Sequence, residues 1–240
     1  MNILFIDCGI SGIAGDMSLA AFTEIGVDLP TIERKLQSVI HEEFSLSTKN
    51  VVKKGISSTQ LIIETEEDKH SHRHYTHIKK AIEDSDLYES EKETALRMFE
   101  IIAIAEAKIH NSTLEKVHFH EVGGVDSMID IIGTAIAFRT LDIEKVICSP
   151  VATGNGYIKM AHGLFPIPAP ATLEILKNTP LRSTDVQGEL TTPTGAAIIR
   201  TLANEFGNMP SMNVQIIGYG AGSKDFTTHP NVVRFVLGEQ

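Results

Sequence analysis

The chain has 240 residues, 42% of them hydrophobic and 22% charged, which is enough for a substantial buried core. The 31 acidic and 21 basic residues give a formal charge of −10, and no Lys/Arg-rich stripe accumulates, so nucleic acid and anionic membrane surfaces are excluded as main partners. Two cysteines, Cys8 and Cys148, exclude a disulfide scaffold and a CxxC zinc site; with no signal-like or membrane-length apolar run, a reducing cytoplasm is expected.

Ile3 to Ile6 form the short apolar run of a buried strand. Gly9, Gly12 and Gly15 follow, then a helix through Ala20–Ala21 and Phe22. A stop at Gly26 and a restart at Pro30 frame a second helix near 31–39. The Asp7–Met17 segment is spaced GxxGxxG, which is neither a dinucleotide fingerprint nor a lysine-ended P-loop. Its backbone amides and the helix start behind them suit an anion, which marks Ser11, Gly12, Gly15 and Asp16 as candidate substrate-binding residues. A tight turn packing a helix against a sheet accounts for the glycines equally well.

Residues 44–66 hold β-branched and apolar runs, Val51–Val52 and Leu61–Ile63, that read as two or three strands. His70, His72, His74 and His77 come next, a density of imidazole suited to nickel or zinc, and loose metal capture is expected there. Leu96, Phe99, Ile102 and Ala103 then mark the apolar face of a helix.

The segment 117–130 reads VHFHEVGGVDSMID. On an extended backbone His118 and His120 share a side, and Glu121 adds an oxygen ligand, so a tighter metal site is expected here. Beyond Gly123–Gly124 a helix places Asp126 and Asp130 on one face. Ser127 stands three residues from Asp130, close enough for a carboxylate to take its proton, and these three residues are candidate catalytic groups. Gly133 and Ala137 continue the face with small side chains that leave room beside it. Asp126 near a helix start is also favourable through the helix dipole alone.

Lys145–Ile147 returns to strand. A turn-rich region follows from Gly154 to Pro170, with His162 held before a proline-rich turn. Helices are expected through Leu173–Leu176 and Ala196–Leu202, and strands at Val214–Ile217 and Val232–Leu237. In GELTTPTG, Thr192 reads as an N-cap and Pro193 as the first helical residue. Glu189, Thr191 and Thr194, with Thr192, surround an anion-friendly helix start and join the candidate substrate-binding residues. The sum is an α/β fold in one domain, 1–240: a mixed sheet with flanking helices and a helical segment inserted at about 70–140. The segments at 9–16, 117–130 and 189–195 are expected to line one concave polar site.

SGIAGDM, the His-rich stretch, VHFHEVGGVDSMIDIIG, AHGLFPIPAPAT and GELTTPTGAA occur in the order seen in the LarC-type nickel insertion family, which the chain resembles over almost its whole length. The resemblance implies a cyclometallase that uses CTP, with a divalent metal, to place nickel in pyridinium bisthiocarboxylic acid mononucleotide, yielding the nickel-pincer cofactor of lactate racemase-like enzymes. Family members continue into a C-terminal domain associated with CTP binding, which this chain lacks, so a fused or separate C-terminal domain is an expected partner and a homo-oligomer is possible. In that reading His118, His120 and Glu121 hold nickel, a nearby carboxylate takes a ring proton, and Ser127 offers a hydroxyl to nucleotidyl transfer. The rival is a nickel chaperone or store that needs the histidines and no nucleotide. A phosphotransferase built on the Asp7–Asp16 loop is disfavoured by the missing P-loop lysine.

Overall fold

A computed structural model describes residues 1–65, 73–119, 122–160 and 163–240. In chain order the elements are β1 (Asn2–Asp7), α1 (Gly15–Glu24), α2 (Leu29–Leu36), β2 (Phe44–Lys53), β3 (Ile56–Thr65), β4 (Arg73–His74), α3 (Tyr75–Glu83), α4 (Glu89–Ile109), β5 (His118–Phe119), α5 (Val125–Thr140) and β6 (Lys145–Cys148). Short strands follow: β7 (Val151–Ala152), β8 (Gly154–Asn155), β9 (Tyr157–Met160) and β10 (Gly163–Pro166), then α6 (Pro170–Ile175), β11 (Leu181–Arg182) and β12 (Gly188–Glu189). The chain closes with α7 (Pro193–Leu202), β13 (Glu205–Phe206), β14 (Asn213–Ala221) and β15 (Val232–Glu239).

Seven strands make one mixed sheet in the order β13-β6-β1-β15-β14-β3-β2. β1 is parallel to β6 and antiparallel to β15, which explains its unbroken apolar run: a central strand is covered on both faces. Leu4 and Ile6 enter the main core under the helices, while Ile3 and Phe5 join Ile147 and Val236 in a smaller cluster on the other face. Because β14 meets β3 at Gly220 and Thr59, and β14 ends at Ala221, the far part of β3 from Leu61 to Thr65 runs on past β14 while still paired with β2. That overhang reaches the starts of α1 and α5.

α1 lies directly on β14. A Cβ at Gly220 would overlap the Met17 carbonyl oxygen, so the strand's glycine sets the distance between helix and sheet. α5 turns an apolar stripe to the core: Ile129 and Ile132 are 0% exposed and Ile136 is 1% exposed. The room expected beside Gly133 and Ala137 is filled by protein, since a Cβ at Gly133 would stand 2.8 Å from Leu19 Cδ2 of α1. Residues 75–140 are largely helical, as expected of the 70–140 segment, and α4 buries Ala95, Met98, Phe99 and Ile102 in the same core. The segment is thus part of the main helical layer. At the start of α4, Glu91 is 1% exposed, takes the Tyr88 N–H at 3.0 Å and pairs with Lys35 of α2, so one carboxylate caps a helix and ties it to a neighbour. Among the described residues no helix is long and apolar enough to cross a membrane.

Candidate functional site

Asp16 is the second residue of α1, Asp126 the second of α5, and Asp130 stands one turn further along α5. They line a cavity of about 290 Å³ with Leu61, Ile63 and Thr65 of the β3 overhang, Val125 and Ser223. The approach of the two helices depends on Gly15, where a Cβ would fall 2.6 Å from Asp130 Cγ. The Asp16 N–H donates to the Asp130 carboxylate. The helix start that the glycine spacing aims at an external anion therefore already holds an internal one. Asp130 Oδ1 is buried and, among the described residues, has no hydrogen-bond partner.

The electrostatics follow from that geometry. Burial, then the charges of Asp16 and Asp126, push the Asp130 carboxyl well above its ordinary 3.8, and the Asp16 amide only partly offsets them. Burial also raises Asp16, opposed by N–H groups of its own turn, of which Met17 N–H reaches Asp16 Oδ1 at 2.8 Å. Asp126 is exposed and takes the Ser127 N–H at 2.8 Å. Ser127 itself is buried and does not line the cavity; the hydroxyls in its wall belong to Thr65 and Ser223. Leu61, Ile63, Thr65 and Ser223 carry no motif, and only the strand pattern of β3 hinted that its residues are half-buried.

The third expected segment has a different job. Thr191 is 0% exposed; its hydroxyl takes the Ile13 N–H at 3.3 Å and donates to the Ala152 carbonyl at 2.6 Å. Thr192 N–H donates to Ile13 O at 3.2 Å, and the Thr192 hydroxyl caps α7 through Gly195 N–H at 3.2 Å and meets that of Thr194 at 2.8 Å. Gly12, at φ +66°, lies so close that a Cβ would overlap the Leu190 carbonyl. Ser11 donates to the Pro230 carbonyl, and Glu189 pairs with Gly154 across β12 and β8. Of the three-part site expected from the sequence, loop 9–16 and α5 share the cavity through Asp16, whereas 189–195 is absent from its lining and buttresses the loop from behind. Ser11, Gly12, Thr191, Thr192 and Thr194 are thereby engaged in packing and capping.

Among the histidines, His74 of β4 sits opposite His118 of β5, with ring centroids 3.6 Å apart, and His77 at the start of α3 is 5.1 Å from His74. The sequence reading keeps a loose cluster at 70–77 apart from a tighter site at 118–121. The β4–β5 pairing instead makes His74 and His118 neighbours. Desolvation, then His118 and His77, lower the His74 pKa, which favours the neutral, ligating imidazole. Arg73 holds this pair to the entry of α5 by donating to the Gly123 carbonyl and to Glu42. His70, His72, His120, Glu121 and His162 lie outside the described residues. Among the described residues no three His, Cys, Asp or Glu side chains converge as a ready-made metal site.

The family described as "Nickel insertion protein" matches residues 4–240. A pyridinium-3,5-bisthiocarboxylic acid mononucleotide nickel insertion protein of Geobacillus kaustophilus is 46% identical over 249 aligned positions, covering 100% of this chain and 60% of the relative. Its namesake in Staphylococcus epidermidis is 50% identical over 233, covering 97% and 58%, and one in Desulfitobacterium hafniense is 46% identical over 239, covering 100% and 59%. The chain thus spans about 60% of the length of these relatives. No solved structure matches it.

Proposed function

We propose, because the chain belongs to the nickel insertion protein family, that it takes part in inserting nickel into pyridinium-3,5-bisthiocarboxylic acid mononucleotide, with CTP and a divalent metal acting through a fused or separate C-terminal region. The observation that carries the reading is Asp130: a carboxylate with a raised pKa and one buried oxygen that has no partner among the described residues, in the wall of a cavity. Forming a nickel–carbon bond on a ring breaks a C–H bond. The electron pair passes to the metal, and the proton needs an acceptor whose pKa sits above the usual carboxylate range. Asp130 supplies that acceptor. Leu61, Ile63 and Val125 give the ring apolar walls, and the acidic rim at Asp16 and Asp126 suits a pyridinium cation. Nickel, the ion delivered, is taken by His74 and His118, with His77 beside them.

Intact-mass analysis of the mononucleotide after incubation with the chain, its C-terminal partner, CTP, nickel and magnesium tests this. Asp130→Asn should bind nickel normally and insert at least about a hundredfold less, the usual scale of general-base loss. A nickel store, the rival reading, gives Asp130 no task, so normal insertion by Asp130→Asn returns the protein to that class. Ser127→Ala belongs in the same experiment. Loss of insertion with an unchanged melting curve supports nucleotidyl transfer to its hydroxyl, and full activity removes that role.

A further inference from the structure

A second hollow, of about 390 Å³, lies between the β2–β3 turn and the loop 225–231. Its wall carries Lys53, Lys54, Thr227 and His229, and the His229 ring stacks on Phe226 with centroids 4.9 Å apart and planes 13° apart. On a chain of formal charge −10, two adjacent lysines in a concave wall are a local reversal of sign. Lys53 is 9% exposed, and its ammonium donates to the Lys224 carbonyl at 3.3 Å and to Asp225 at 2.7 Å. The Asp225 side chain is 83% exposed, a counter-ion free to swing away. His229 Nδ1 meets the Thr228 hydroxyl at 2.9 Å, and its buried Nε2 has no partner among the described residues. With the Thr228 hydroxyl donating to Nδ1, Nε2–H is the donor left over; with Nδ1–H donating, Nε2 is an acceptor instead.

One loop joins this hollow to the carboxylate cavity. Ser223 lines the acidic side; Lys224 bears on Asp16 through its charge, and its carbonyl takes Lys53 and, at 2.9 Å, the Asn231 amide on the basic side. A pyridinium mononucleotide has the matching polarity, a cationic ring at one end and a phosphate of nearly two negative charges at the other. We infer that the hollow at Lys53, Lys54 and His229 takes the phosphate of a mononucleotide whose cationic ring occupies the Asp16–Asp126–Asp130 cavity, an assignment that rests on the function proposed above. The phosphate displaces Asp225 from Lys53, and the stacked Phe226–His229 pair forms a flat wall beside it.

Titration calorimetry with nicotinamide mononucleotide and nicotinamide riboside, probes that share the ring and differ by the phosphate, tests the site. The wild type should prefer the mononucleotide by about tenfold, the scale of a charge-assisted hydrogen bond. Lys53→Met and the exposed Lys54→Ala should each remove most of the preference and leave riboside affinity unchanged. Asp225→Asn should raise mononucleotide affinity about threefold, since it removes the competing carboxylate. Melting curves check that each variant folds. Equal affinity for the two probes, no binding of either, or a preference that survives Lys53→Met/Lys54→Ala overturns the inference. If the preference follows the lysines but the wild type with its C-terminal partner inserts no nickel, the site stands and the proposed function falls. Insertion without any phosphate preference sinks the site alone.

Discussion

Asp130 has one side of its carboxylate on the Asp16 amide and the other oxygen buried without a partner among the described residues, and that arrangement has a thermodynamic sign. Because its folded pKa lies above the ordinary 3.8, the native protein binds more protons there than the unfolded chain. The stabilising contribution is complete below pH 3.8 and is lost as pH rises through the folded value. Asp130→Asn keeps an acceptor for the Asp16 amide but cannot ionise. It should therefore melt a few degrees above the wild type at pH 7, and the gain should vanish near pH 4; scanning calorimetry at the two pH values checks this. A gain of the same size at both, or a loss at pH 7, would refute the assigned cause. The residue was legible from the sequence through its i, i+4 spacing from Asp126. That Asp16 faces it was not, because the glycine spacing of the loop is the same whether the anion at the helix start is a ligand or a side chain of the protein.

At the level of elements, the two-residue strands decided more than the long helices. The α7 start was readable, since Thr192 and Pro193 satisfy capping and N1 preferences locally, and the N-cap bond to Gly195 is formed. The β4–β5 pair was not: two residues have no periodicity, and their pairing spans more than 40 positions of chain that only the packing of α3 and α4 brings together. Its effect is to merge histidines that the sequence assigns to separate sites. His74→Ala and His118→Ala should each weaken the tightest nickel site about tenfold or more. The double variant should lose less than the sum, with a coupling of about 1 kcal/mol, measured by competition with a chromogenic chelator. Additive losses would restore two independent sites. The Gly133–Ala137 stripe shows the opposite error: small residues on a helix face leave space only until the neighbouring helix arrives, and Leu19 fills it.

For the molecule as a whole, the mixed sheet with flanking helices was foreseen, and the apolar runs of β1, β14 and β15 fall where the sequence puts them. Less visible was how the ends of distant elements gather. β3 overshoots its neighbour at its C-terminal end, where α1 and α5 start and the acidic hollow lies, and the 222–231 loop runs from Ser223 there to the basic hollow beside the β2–β3 turn. Secondary-structure periodicity is blind to such overhangs, which depend on the relative lengths of paired strands. The carboxylate kept above its ordinary pKa at that end also makes the protein a proton donor on demand. A cation entering the cavity lowers the Asp130 pKa, and the proton it held must leave for the solvent. Association should therefore acidify the medium: the heat of binding nicotinamide riboside, which carries the ring but no titrating phosphate, measured at one pH near 6.5 in bis-Tris and in PIPES, should differ in proportion to the ionisation enthalpies of those buffers, by some fraction of one proton per ligand. With Asp130→Asn the two buffers should give the same heat. Identical heats in the wild type would mean that the ring is bound without touching the Asp130 charge, and that the base for its C–H bond lies elsewhere.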